Sequence, residues 1–218
     1  MTQRQIHLVR HGEVHNPSGV LYGRMPGFRL SERGHAMAQL AADHLAASGR
    51  KIGHLYASPL LRAQQSAEPI SEMSGREILV ESRIIEPTNK FEGQKKVGFT
   101  SALKDVRNWP KLWNPLLPSW GEPYARIARR VLAAMEDAWQ AAENASDTGD
   151  IVFVTHQAVV WAAHRKINRL PLMHNPANRR CELSSITSFA VVDDAWQEVG
   201  YVSPAAGLLA EAQDNGAV

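Results

Sequence analysis

The chain has 218 residues, 44% of them hydrophobic and 21% charged, with 24 Lys plus Arg against 22 Asp plus Glu. That length and apolar content suit a globular protein with a sizeable core, and a net charge of +2 without any run of five like charges excludes the dense basic surface that nucleic-acid binding requires. A lone cysteine, Cys181, excludes an internal disulfide, and with neither a secretory leader nor a run of ~20 apolar residues the expectation is a cytoplasmic protein without membrane association.

Gln5 to Val9 is a short strand-like run that stops at Arg10-His11-Gly12. Residues 12 to 30, with Pro17, Gly19, Gly23 and Pro26 among them, read as a long loop. Ser31 suits a helix N-cap, and Met37, Leu40, Ala41, His44 and Leu45 then recur at helical spacing until Gly49. Ile52 to Ala57 predicts a second strand. Ser58-Pro59 predicts the start of a second helix, with proline at the first helical position, and Gly75 its end. Glu77 to Val80 is a third short strand. Pro87 to Pro123 breaks the rhythm: Trp109, Pro110, Trp113, Pro115, Pro118 and Trp120 show no periodicity and have the look of a lid or binding loop.

Glu122 to Glu143 predicts a helix, with Ile127, Val131, Leu132, Met135 and Trp139 on one face. Ile151 to Thr155 is an apolar strand of buried type, and Ala158 to Ile167 the helix after it. Two last strands, near Ser185 to Val192 and Glu198 to Val202, flank a hairpin-like turn at Asp193-Asp194-Ala195. This alternation predicts an α/β fold, a three-layer αβα sandwich with a central, mostly parallel mixed sheet. The expected domain covers residues 1–203, with a lid-like insertion near 94–121. Residues 204–218, rich in Ala, Gly and acids, have the composition of a disordered tail.

Chemistry concentrates where predicted strands end: Arg10-His11-Gly12, Ser58 through Arg62, and Thr155-His156, with Glu86 after the third strand. In open α/β sheets, ligands bind in the crevice outside those carboxyl ends. Two arginines supply planar forks that match phosphate, and His156 adds a donor. A neutral imidazole at His11 can attack phosphorus, and neighbouring arginines disfavour its protonation. Glu86 is suited to protonate a leaving oxygen and then to activate water. That chemistry needs no metal and no cofactor.

These residues also carry a resemblance. Leu8-Val9-Arg10-His11-Gly12-Glu13 after a first strand resembles the histidine phosphatase superfamily, in its phosphoglycerate mutase-like branch. The segment Gly23 through Gly34, the run Ala57-Ser58-Pro59-Leu60-Leu61-Arg62-Ala63, Ile85-Glu86 with Phe91-Glu92-Gly93 behind it, and Val154-Thr155-His156 are similar to further segments of that family, in family order. The resemblance implies a phosphoglycerate mutase-like fold, His11 as nucleophile, phosphate held by Arg10, Arg62 and His156, and Glu86 as proton donor. It implies a phosphatase acting on a small phosphorylated substrate through a phosphohistidine.

Departures from the pattern leave choices open. Val14, Asn16 and Pro17 stand where the family often has Thr and an Asn in another register, so Asn16 is a candidate phosphate contact in an unsettled register. Gly23 is a candidate substrate contact, as is Gln157, which replaces a common glycine. A shorter acid segment makes Glu92 a rival to Glu86. His7, His11 and His15 have metal-ligand spacing only on a helix, and they fall on a strand and a loop, so no metal site is expected. The rival functions are a phosphoglycerate mutase-type phosphotransferase and a non-catalytic phosphate-binding module. Self-association into a homo-oligomer is left open.

Overall fold

The structure, a computed structural model, describes residues 3–94, 121–175 and 178–214. Within them the chain runs β1 (Ile6–Arg10), α1 (Glu32–Ala47), β2 (Ile52–Ala57), α2 (Leu61–Ser74), β3 (Ile78–Val80), α3 (Tyr124–Asn144), β4 (Asp150–Thr155), α4 (Gln157–Ile167), β5 (Ile186–Val192) and β6 (Ala195–Val202). Short 3₁₀ turns follow β3 and β6, at Ser82–Ile84 and Ala206–Glu211. The strands form one sheet in the order β3-β2-β4-β1-β5-β6. The pairs β1·β4, β2·β4 and β2·β3 are parallel, whereas β5 lies antiparallel to β1 and β6 antiparallel to β5.

Strands β1 and β4 are buried at every position, as expected where helices cover both faces of a parallel sheet. Their side chains alternate between two cores. Ile6, Leu8, Ile151 and Phe153 pack with Val131, Met135 and Trp139 of α3 and Val159 and Val160 of α4. Val9, Val152 and Val154 face Ala41 and Leu45 of α1 and Ala63, Ala67 and Ile70 of α2. Burying a side chain of Phe or Leu size contributes about 2 kcal/mol, so these two layers hold the strand ends in place. Among the described residues no helix is long and apolar enough to cross a membrane.

Most predicted elements appear within a residue or two of their expected bounds. Helix α2 starts at Leu61 rather than Pro59. Leu60 keeps extended backbone as the N-cap without a side-chain cap, and the Ser58 hydroxyl lies 2.7 Å from His156 Nε2. Strand β6 begins at Ala195, earlier than expected, because Asp193 and Asp194 both take left-handed backbone (φ 50° and 58°) and make a two-residue hairpin turn. The tail differs more. Residues after Pro204, expected to be disordered, are packed as far as 214: Ala205 is buried with Met37 and Leu183, and Leu208, Leu209 and Ala212 press on the same cluster. Four apolar side chains in eight residues suffice once a matching surface at Met37 and Leu183 is available. Of the expected insertion at 94–121, residues 95–120 lie outside the described residues.

Toward the amino ends of the strands a buried polar cluster closes the sheet. Asp150 accepts from Gln5 N (2.8 Å), from Arg50 and from His7 Nε2 (3.2 Å), while His7 Nδ1 meets the Ser188 hydroxyl at 2.8 Å. Burial by itself would raise the Asp150 carboxyl, but these donors outweigh it and hold its pKa down to about 2. A depressed carboxylate stabilises the fold above its unfolded pKa of ~3.9 and loses that contribution as pH falls toward 2. Asp150→Asn should therefore lower unfolding free energy at neutral pH by about 2 kcal/mol. Urea denaturation should show the difference shrinking between pH 4 and pH 2; a constant difference across that range would contradict the assignment.

Candidate active site

The carboxyl ends of β1, β2 and β4 deliver the site. His11 follows β1, its backbone N–H bonded to Thr155 O at 3.0 Å, so the ring leaves the sheet edge in a set direction. Gly12 then passes so close to α1 that an added Cβ would lie 2.3 Å from Gly34 O. Gly34 is as tight, with a Cβ 2.0 Å from Glu13 O. Glycine at both positions is a packing demand. Gly12 N donates to Ser66 Oγ (3.1 Å), and the Ser66 hydroxyl donates to Arg62 O (2.8 Å), which ties the loop to the first turn of α2. His156 occupies the N-cap position of α4. Glu86 follows the 3₁₀ turn after β3, its carbonyl accepting from Arg24 Nε.

The side chains converge in a buried cluster. His11 Nδ1 lies 2.8 Å from Gly12 O, and since a carbonyl only accepts, Nδ1 carries the proton and Nε2 the lone pair. That Nε2 faces Arg62 Nε at 3.3 Å. Arg62 also donates to Gly23 O at 2.8 Å and stacks over the Tyr22 ring at 4.8 Å. His156 is held by Ser58, and its Nδ1 lies 3.1 Å from Glu86 Oε2, close enough to pair although not aligned for a hydrogen bond. Glu86 Oε2 is 3.9 Å from Arg62, and the two histidine rings stand edge to face at 5.2 Å.

Burial governs the titration of these groups. It pushes His11 well below the usual histidine range, and the positive charges of Arg62 and Arg10 push further, against a weaker opposing bond to Gly12 O. His156 is lowered in the same way, first by burial and then by Arg62. Glu86 moves the other way: burial raises it, and the arginines around it offset this only in part. The site at neutral pH thus holds two uncharged imidazoles beside a carboxyl whose proton burial makes harder to lose. Burial lifts the Tyr22 phenol to about 12, so it remains a neutral donor.

His11, Glu86 and His156 could each offer an atom to one ion, the three lying within 4.8 Å of one another. The guanidinium of Arg62 beside His11 Nε2 opposes a cation there and favours an anion. His7 and His15 do not join His11: His7 is engaged with Asp150 and Ser188, and His15 is exposed.

Arg10-His11, Arg62, Glu86 and His156, from four separate stretches of the sequence, are thus brought together. Other candidates are placed differently. Asn16 uses both ends of its amide on Val20, donating to Val20 O (2.8 Å) and accepting from Val20 N (3.2 Å), so it holds its own loop. Gly23 meets the site through its carbonyl, and its left-handed backbone (φ 38°) lets the Glu92 carboxylate sit where a Cβ would be. Glu92 accepts from Arg24 N at 3.0 Å and Asn89 N at 3.4 Å, and so braces this loop, while Glu86 is the carboxyl beside His156. Gln157 bridges Cys181 O and Arg179, each at 3.3 Å. Tyr22, Arg179 and Asp214 carried no motif in the sequence; each reaches the cluster through a loop or the tail.

Residues 6–203 match the histidine phosphatase superfamily (branch 1). An uncharacterized protein of Mycobacterium tuberculosis is 43% identical over 205 residues, 94% of this chain and 98% of that one. A 2,3-bisphosphoglycerate-dependent phosphoglycerate mutase of Thermoplasma acidophilum is 30% identical over 159 residues, 72% of each chain. Among solved structures, a mycobacterial glucosyl-3-phosphoglycerate phosphatase in complex with inorganic phosphate superimposes with a TM-score of 0.73 at 21% identity, covering 93% of this chain and 99% of the other. With a family match over nearly its whole length, this chain belongs to the histidine phosphatase superfamily.

Proposed function

We propose that the protein hydrolyses phosphomonoesters of a small metabolite through a phosphohistidine on His11. The observation that carries this is the deprotonated His11 Nε2, turned toward Arg62 and set among Glu86 and His156 in a buried cluster. In the first step Nε2 attacks phosphorus, the bond from phosphorus to the ester oxygen breaks, and Glu86 gives its proton to that oxygen. Charge gathering on the three equatorial oxygens is met by Arg10, Arg62 and a donor on His156. In the second step water attacks the phosphohistidine, Glu86 takes a proton from it, the N–P bond breaks, and inorganic phosphate leaves. Glu86 returns to its starting form, which burial favours.

The direct check is quenched-flow labelling with a radioactive aryl phosphate. The label should become protein-bound, acid-labile and alkali-stable, with phosphate released at the turnover rate. A chelator should leave turnover unchanged. Phosphate that binds without ever becoming covalent would favour a binding module instead. The identity with a phosphoglycerate mutase supports a second reading, transfer between positions of one phosphorylated acid. Assay of phosphoglycerate interconversion with a bisphosphorylated primer separates the two: interconversion far faster than phosphate release would make the protein a mutase.

A further inference from the structure

Arg10 is engaged by the far end of its own chain. Its NH2 donates to the Asp214 carboxylate and its NH1 donates to Cys181 O at 2.6 Å, while its buried Nε meets no acceptor among the described residues. The arginine side chain is 1% exposed and that of Asp214 41% exposed, so the acid reaches a buried cation from the surface. The approach is anchored along its length. Ala205, Leu208, Leu209 and Ala212 pack on Met37 and Leu183. Arg33 then holds the Glu211 carboxylate (3.1 Å) and carbonyl (2.8 Å), and Gln213 N donates to Glu13 Oε1 at 2.7 Å. Glu13 lies two residues after His11, so each anchor brings the tail nearer the nucleophile's loop.

A carboxylate on this guanidinium takes up a donor that a phosphate oxygen needs, and two anions cannot share it without repulsion. We infer that residues 205–214 form a self-inhibitory strap in which Asp214 stands in for the substrate's phosphate on Arg10 and must be displaced for binding. The inference rests on Arg10 being a phosphate ligand, as proposed above. Exchange is feasible because the Asp214 carboxylate is partly open to solvent, because an incoming phosphate keeps the buried guanidinium paired, and because phosphate can also satisfy Arg10 Nε, which has no acceptor among the described residues. The strap lowers apparent affinity by the fraction of molecules in which it is released.

Inorganic phosphate binding to the full-length protein, measured by calorimetry at low salt, tests this without turnover. Asp214→Ala, and separately Asp214→Asn, should each bind phosphate about three- to ten-fold tighter than wild type. KM for an aryl phosphate should fall by the same factor with kcat unchanged, and added salt should narrow the difference. Equal or weaker phosphate binding in both variants would overturn the strap and make Asp214 an orienting partner of Arg10. If neither wild type nor variants bind phosphate while remaining folded, the anion site itself is wrong and the strap falls with it.

Discussion

His11→Ala is expected to lower kcat for an aryl phosphate by at least about four orders of magnitude, roughly 5 kcal/mol of transition-state stabilisation. The size follows from what the ring alone supplies. Its Nδ1 proton is committed to Gly12 O, its Nε2 lone pair points into the cluster, and burial beside two arginines keeps it uncharged. No neighbouring group replaces that function, since His156 is tied to Ser58 and Glu86. The variant should still bind inorganic phosphate, because Arg10, Arg62 and His156 remain, and it should no longer take up acid-labile label. Activity within ten-fold of wild type would exclude His11 as nucleophile.

For Glu86→Gln the loss should depend on the leaving group. About 10²- to 10³-fold is expected with alkyl phosphates, whose departing oxygen needs a proton, and much less with a nitrophenyl ester, whose oxygen does not. The pH profile gives a sharper test. In the wild type the phosphorylation step requires the protonated carboxyl, so single-turnover rates should decline as pH rises through the raised pKa of Glu86, and this limb should vanish in the variant. Stability should move in the opposite sense from activity. A carboxyl raised by burial is compatible with the fold below its unfolded pKa and destabilises it as pH rises toward the folded value. Glu86→Gln should therefore equal or exceed wild type in resistance to denaturant at neutral pH and converge with it below about pH 4. A variant that loses activity equally for all esters, and stability as well, would indicate that Glu86 only supports the structure.

The parts of this site legible in the sequence share one property: their placement follows from local rules. Arg10-His11, Ser58 to Arg62 and Thr155-His156 each end a run whose apolar pattern marks a strand, and parallel strands place such ends along one edge of the sheet. The layered fold was legible for the same reason, since continuous burial in Ile151 to Thr155 and a one-sided helix over Glu122 to Glu143 admit few other arrangements. Glu86 against Glu92 was not decidable that way. Both follow β3 within a loop, and their placement depends on packing: Glu92 fills the space that Gly23 leaves by having no Cβ, while Glu86 stands beside His156.

What the sequence by itself determined is the inventory and its order: strand-end histidines and arginines, glycines at 12 and 34, and two apolar layers for a sheet between them. Only the tertiary structure decided which proton His11 keeps, that Ser58 reaches His156, and that Asn16 closes its own loop. It also brought a tail with an unremarkable composition onto Arg10. The physical reason is range. Strand and helix periodicity is set by neighbours along the chain, whereas a buried donor takes whichever acceptor the packed layers bring within 3 Å or so, and for Arg10 that acceptor lies 204 residues away.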